Sequence, residues 1–158
     1  MAKAEAIHGL GEDDAYAEVA ATVVTVRSRE LFEHSSGVLD VDDIERVHNM
    51  RVATRRLRAA LEVFEPCFSP KLFKRSLKQV KSLADALGER RDRDVTIAAL
   101  VEFAADVSAA DRPGIESLIN RLRDEQRASN EALAPVVSTP RLAKLDKRLK
   151  KLVAGVKK

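Results

Sequence analysis

The sequence predicts an all-α protein, an antiparallel bundle of about six helices in a single domain. Only six glycines and five prolines occur in 158 residues, and the commonest residues, Ala, Leu, Arg and Glu, are strong helix formers. Apolar residues recur at intervals of three and four, which is the spacing of one helix face. No stretch shows the alternation of apolar and polar residues that is typical of a β-strand. A chain of this length supports one hydrophobic core.

Turn residues and helix-start signals divide the chain into its predicted helices. Residues 35–37 (Ser-Ser-Gly) end the first, and Pro66 ends the second. Gly88 is expected to close the third as its C′ residue. Ser69-Pro70 and Thr139-Pro140 each pair an N-cap residue with a proline at the first helical position. The predicted helices cover residues 13–33, 43–65, 70–87, 92–107, 113–133 and 140 onward.

Composition argues against several classes of protein. Cys67 is the only cysteine, which rules out an intrachain disulfide and gives no sign of an oxidising compartment. Residues 1–12 are polar, lack the apolar region of a signal peptide and are expected to fray. No apolar run approaches the length of a membrane span. We therefore expect a cytoplasmic protein that does not enter a membrane.

Basic residues are concentrated in one part of the chain. Ten arginines and lysines but only two acids lie between Arg46 and Lys81, a local net charge of +8 in a chain whose total is +3. This distribution predicts a basic patch, and a basic patch indicates a polyanionic partner. Aromatic residues make up only 4% and tryptophan is absent, which disfavours modules that stack single-stranded bases.

The second predicted helix carries the first half of this patch. His48, Arg51, Arg55 and Arg58 follow i, i+3, i+7, i+10 spacing and project from one side of the helix. Like charges at this spacing, roughly 5–6 Å apart, repel by somewhat under about 1 kcal/mol in water. A row of three arginines therefore lowers stability unless an anion lies on it.

The third predicted helix repeats the design with lysines. Its basic stripe is Lys71, Lys74, Lys78 and Lys81. Because the loop between the two helices is short, they should be antiparallel neighbours, with the basic residues facing a shared groove about 25–30 Å long at 1.5 Å per residue. Guanidinium and ammonium groups both suit phosphate oxygens, so a linear polyphosphate fits such a groove better than a compact ligand.

Two segments resemble a known family, the CHAD (conserved histidine α-helical) domain. The first is Val47-His48-x-x-Arg51-Val52-x-x-Arg55-Arg56-Leu57-Arg58-x-x-Leu61-x-x-Phe64. The second is Leu87-Gly88-x-x-Arg91-Asp92-x-Asp94-Val95. The resemblance implies a helical fold that binds inorganic polyphosphate on a basic surface, and association with polyphosphate granules in the cell.

By this resemblance, five residues at the matching positions are expected to bind phosphate: His48, Arg51, Arg55, Arg58 and Arg91. The geometry of the third helix adds Lys74, Lys78 and Lys81. Further candidates at the edges of the groove are Arg56, Lys71, Arg90 and Arg93. Structural and binding roles stay equally open for Arg91, while Asp92 and Asp94 are expected to be structural.

The chain departs from the family in length. The usual CHAD domain is about twice as long and has two related helical halves around a central basic cavity, and this chain resembles one half. Either a homodimer restores the second half, or the chain binds with an open and weaker groove.

Other functions are weighed against polyphosphate binding. The arginines around His48 would repel a metal ion, and catalysis of phosphate transfer would require a nucleophile, a Gly-rich loop or clustered carboxylates that are missing. No cofactor and no enzymatic activity are therefore expected. A nucleic-acid-binding regulator is the main alternative, disfavoured because no helix-turn-helix or other reader is recognisable. The basic C-terminal helix could lie on a membrane surface, but its leucine stripe favours packing into the bundle, where its lysines would extend the basic surface.

Overall fold

The computed structural model describes residues 3–156, and the part of the chain that it describes is helical without a strand. Five α-helices follow one another: α1 (Tyr16–Glu33), α2 (Ile44–Val63), α3 (Pro70–Asp106), α4 (Arg112–Leu133) and α5 (Thr139–Ala154). A short 3-10 helix, Glu65–Cys67, joins α2 to α3. The predicted fold class, an all-α bundle, is confirmed.

The helix count is five because the third and fourth predicted helices form one continuous helix, α3. Gly88 does not close a helix: its φ is not positive, whereas Gly9 and Gly37 are the positive-φ glycines within residues 3–156. Residues 89–94 continue the helix instead of forming a turn. The side chains of Arg90 and Asp94 pair one turn apart within it, Nε to Oδ1 at 2.9 Å. This ion pair and the absence of a second proline within α3 favour continuation over a break.

The core is one cluster of buried apolar side chains between α1, α2, α3 and α5. The face of α2 opposite its basic residues supplies Met50, Leu57 and Leu61, all fully buried. Leu145, Leu149 and Leu152 of α5 are each 1% exposed, so the predicted packing of the C-terminal helix into the bundle is confirmed. None of the helices within residues 3–156 is long and apolar enough to cross a membrane.

Helix α4 packs mainly against α3. The second half of α3 and the first half of α4 form a helical hairpin with many exposed residues. Its exposed apolar side chains include Val101, Phe103 and Leu118, which are 48%, 56% and 43% exposed. At 1.5 Å per residue, the 37 residues of α3 extend over about 55 Å. This helix therefore positions both the basic residues and the hairpin.

The N-terminal segment is held to α1 at Glu5. Its backbone N–H donates to Glu30 Oε1 at 2.5 Å, and its carbonyl accepts from Arg27 Nη1 at 3.1 Å. Its carboxylate pairs with Arg29. The expected fraying of residues 1–12 falls partly outside the described residues, since Met1 and Ala2 lie before them.

Candidate polyanion-binding surface

Helices α2 and α3 are antiparallel neighbours, and their basic side chains form the cationic surface described below. At one end of it, at the start of α2, is a depression of about 440 Å³ lined by the following residues: His48, Arg51, Arg91, Asp92, Val95 and Thr96. The antiparallel packing brings Arg91 of α3 to the first turns of α2, as the short connection predicted. We call this depression the His48 cleft.

Gly88 lies where Arg51 crosses α3. A Cβ atom built at Gly88 would stand 3.9 Å from Arg51 Nε. A long side chain at this position would occupy the space of the guanidinium. Because Gly88 has no side chain, space beside α3 is left for the Arg51 side chain at the His48 cleft.

Arg91 is held in place by α2. Its Nη1 donates to the carbonyl of Ile44 at 3.1 Å, and its Nη2 lies 3.5 Å from Glu45 Oε1. The Arg91 side chain is 17% exposed and the Glu45 side chain 56%. Arg91 thus has a structural role, because it joins the two helices, and it also lines the His48 cleft, while its role in binding stays a prediction.

The imidazole of His48 is half-buried in this cationic setting. Burial lowers the pKa of His48 below its ordinary value, and the positive charges of Arg91 and Arg51 lower it further, against an opposite effect of Glu45. Both causes penalise the charged imidazolium. An anion in the His48 cleft would offset them.

A second depression, of about 480 Å³, lies further along α3. It is lined by Lys74, Lys78 and Lys81 together with Leu77 and Asp85, and we call it the lysine cleft. From Lys74 to Arg91 the helix rises about 25 Å. The two clefts thus lie along a basic strip of the length that the sequence predicted. The strip is open instead of the predicted groove, and Val63 of α2 is 61% exposed.

Within this strip, Glu62 of α2 forms ion pairs with Arg58 on its own helix and with Lys81 on α3. Glu62 Oε1 lies 3.0 Å from Arg58 Nε and 3.4 Å from Lys81 Nζ. The hydrogen bond from Arg58 is the main cause that lowers the pKa of Glu62; desolvation opposes it, and Lys81 lowers the pKa further. The side chains in both pairs are 42% exposed. Glu62 is therefore an internal counter-ion of Arg58 and Lys81.

Several cations of the surface have no internal counter-ion. Within residues 3–156, no carboxylate lies within 4.0 Å of the charged nitrogens of the following side chains: Arg51, Arg55, Lys71, Lys74 and Lys78. Arg55 is exposed between Arg51 and Arg58 on the same face of α2. A row of unpaired cations on two packed helices costs stability by mutual repulsion.

Three of the further candidates lie outside this strip. Arg90 is fully buried and donates to Asp94, to Asn130 Oδ1 at 2.5 Å and to the Asp40 carbonyl at 3.4 Å. It fastens α3 to α4 and to the loop before α2, and is inaccessible to an anion. The sequence prediction failed for Arg90 because it placed this residue between two helices, at 70–87 and 92–107, instead of on the buried face of one continuous helix.

The other two face neighbouring helices. Arg93 lies 3.6 Å from Glu125 of α4, and Arg56 lies 3.8 Å from the buried Glu30 of α1. Asp94 is buried and accepts from Gln126 Nε2 at 2.6 Å, a structural role as expected. Asp92 is exposed within α3, so it caps no helix and instead lines the His48 cleft.

Fold and surface together define an all-helical protein with a cationic strip on an antiparallel helix pair. The family model of the CHAD domain matches residues 22–158. The chain belongs to the CHAD domain family. No curated protein and no solved structure gives a significant match to it.

Proposed function

We propose that this protein binds inorganic polyphosphate along α2 and α3 without cleaving it. The observation that carries the proposal is the row of cations without internal counter-ions that runs between the His48 cleft and the lysine cleft. Arg51 and Arg55 offer forked donors to phosphate oxygens, and Lys74 and Lys78 offer point charges. Membership of the CHAD domain family supports this function because CHAD domains are known from polyphosphate-related proteins.

The proposed binding residues are those that face the strip: His48, Arg51, Arg55, Arg58, Lys74, Lys78, Lys81 and Arg91. Lys71, exposed at the first turn of α3, extends the strip at its far end. The proposal of binding alone, without catalysis, rests on the chemistry of these side chains. They supply hydrogen-bond donors and positive charge, and no nucleophile paired with a base. Localisation to polyphosphate granules in the cytoplasm is part of the same proposal.

The proposal is tested by titrating the protein with long-chain polyphosphate and with duplex DNA at two salt concentrations. We expect polyphosphate to bind more tightly at both, and both affinities to fall with salt as bound counter-ions are released. Tighter binding to DNA would instead support the alternative of a nucleic-acid-binding regulator, which the same positive charge would serve.

We further propose that two copies associate, so that the basic surfaces of the two chains combine. Exposed apolar side chains on the α3–α4 hairpin support this. Val95 is 50% exposed and lines the His48 cleft. The exposed apolar residues of the hairpin therefore include one that borders the basic strip.

Size-exclusion chromatography with light scattering at micromolar concentration tests the association. We expect a dimer that Phe103→Glu converts to a monomer, because the new charge would be buried at the interface. A strict monomer in the unsubstituted protein would remove the dimer and leave the open strip as the binding surface.

A further inference from the structure

A third basic depression lies between α3 and α5, on the side of α3 away from the His48 cleft. It has a volume of about 340 Å³. Its basic lining residues are Arg75, Lys78, Arg141, Lys144 and Arg148. The remaining lining residues, Gln79 and Ser82, are polar and uncharged, and no carboxylate from residues 3–156 lines the depression. We call it the α3–α5 cleft.

The cations of the α3–α5 cleft are not neutralised by the protein. Within the described range 3–156, none of the five has a carboxylate within ion-pair distance. The acid of α5 is used elsewhere, since Asp146 pairs with Lys150 at 2.7 Å and lines the opposite groove with α1. Five like charges around one depression are destabilising without a ligand.

One guanidinium of the cleft is fixed by hydrogen bonds to uncharged groups. Arg148 Nη1 donates to Gln79 Oε1 at 2.6 Å and to the carbonyl of Arg75 at 3.4 Å. Gln79 Nε2 in turn donates to the carbonyl of Arg141 at 3.4 Å. These contacts hold α5 against α3 and leave the positive charge of Arg148 available. Prior positioning of a donor lowers the entropy lost when an anion binds.

Lys78 lines both the α3–α5 cleft and the lysine cleft. The cationic strip therefore continues over the surface of α3 and onto α5 instead of ending on α3. An extended anion bound along α2 and α3 can pass Lys78 and enter the α3–α5 cleft.

We infer that the α3–α5 cleft is a second binding site for condensed phosphate, joined to the first at Lys78. The inference rests on the proposed function, because the ligand is the same chemical class. A short chain such as tripolyphosphate occupies either cleft by itself. A long chain occupies both and gains affinity from the second contact without a new partner.

The test compares two double variants that each remove two positive charges. Arg141→Gln/Lys144→Gln alters the exposed cations of the α3–α5 cleft and spares Arg148, which holds α5. Arg123→Gln/Lys147→Gln removes two exposed charges that line none of the three basic depressions. Calorimetry with long-chain polyphosphate and with tripolyphosphate is run on both variants and on the parent.

We expect Arg141→Gln/Lys144→Gln to weaken binding of long-chain polyphosphate by about three- to tenfold and to lower the number of tripolyphosphate molecules bound per chain. The matched control should change neither by more than about twofold. The side-chain amide signals of Gln79 should shift when tripolyphosphate is added to the parent, in ¹H–¹⁵N correlation spectra. Equal affinities for the two variants with an unshifted Gln79 would overturn the second site while leaving binding along α2 and α3 intact. Absence of binding to the parent would overturn both.

Discussion

At the scale of the residue, burial and the presence of a carboxylate partner distinguish two classes among the arginines of this protein. Arg51 and Arg55 have no carboxylate partner in the described part of the chain, whereas Arg90 is buried with Asp94, Gln126 and Asn130 nearby. The sequence pattern predicted the first class, because the spacing of the basic residues on α2 defines their common face. It failed for Arg90, because burial of an arginine depends on α4, which is distant in sequence.

Arg90→Ala should destabilise the fold strongly. Both Arg90 and Asp94 have 0% exposed side chains, so the substitution leaves a buried carboxylate without its cation, at a cost of about 3–5 kcal/mol. Urea denaturation followed by circular dichroism measures the free energy of unfolding. Arg93→Ala is the control, because its pair with Glu125 is 36% and 39% exposed and should contribute at most about 1 kcal/mol. Similar losses for the two substitutions would contradict the assigned role of Arg90.

Glu62→Gln should strengthen polyphosphate binding by about two- to fivefold, the change in affinity that corresponds to the free energy of one exposed ion pair. The substitution releases Arg58 and Lys81 from their shared counter-ion and removes a negative charge from the strip. Isothermal titration calorimetry checks this. Glu116→Gln, an exposed acid on α4, is the control for the change in net charge. Weaker binding of Glu62→Gln would show that Glu62 orients the cations for binding instead of competing with the ligand.

Polyphosphate binding should tighten as the pH falls from about 7.5 to 5.5. Burial and neighbouring arginines lower the pKa of His48 in the free protein, below its ordinary value of about 6.5. A bound anion favours the imidazolium, so the pKa of His48 is higher in the complex and binding takes up a proton. Affinity therefore rises as the pH falls from the pKa of the complex to that of the free protein. Calorimetry in buffers of different ionisation enthalpy measures the uptake, and His48→Gln should abolish it. Uptake that persists in His48→Gln would place the proton elsewhere.

At the scale of the element, most helix boundaries could be predicted and one could not. Proline in the first turn marked the starts of α3 and α5, although α5 begins at Thr139, one residue before the predicted position, with Ser138 as its N-cap. Gly37, with a φ of 68°, follows the end of α1. Gly88 misled because a glycine between two amphipathic segments is typical of a C′ residue. In the structure Gly88 lies within α3 beside the guanidinium of Arg51, where a small residue leaves room for that side chain, a tertiary contact that periodicity does not reveal.

Gly88→Ala should raise the free energy of unfolding by about 1 kcal/mol, the difference in helix propensity. The added Cβ would lie 3.9 Å from Arg51 Nε, an ordinary contact, so polyphosphate affinity should stay unchanged. Gly37→Ala is the opposite case: its φ is positive and its Cβ would stand 2.6 Å from Arg46 Nη1, which should destabilise by about 1 kcal/mol or more. Thermal denaturation compares the two. A destabilised Gly88→Ala would indicate that α3 is bent or strained at this residue.

At the scale of the whole molecule, the all-α fold followed from composition and periodicity, because helices depend chiefly on local sequence. The arrangement of the basic surface could be predicted from the sequence only in part. The shared face of α2 and α3 could be inferred from their short connection, whereas the α3–α5 cleft joins residues more than sixty positions apart. No local pattern in the sequence indicates that contact.

In the proposed complex, a polyphosphate chain lies on the cations of α2 and α3 that have no carboxylate partner within residues 3–156. The most direct measurement is the affinity of long-chain polyphosphate for Arg51→Gln/Arg55→Gln, beside the matched control Arg123→Gln/Lys147→Gln. Loss of two charge-assisted contacts should weaken binding by about tenfold or more, with unchanged helical circular dichroism, and the control should stay within about twofold of the parent. Equal affinities for the two variants would contradict the claim, because binding would then follow net charge and not this surface.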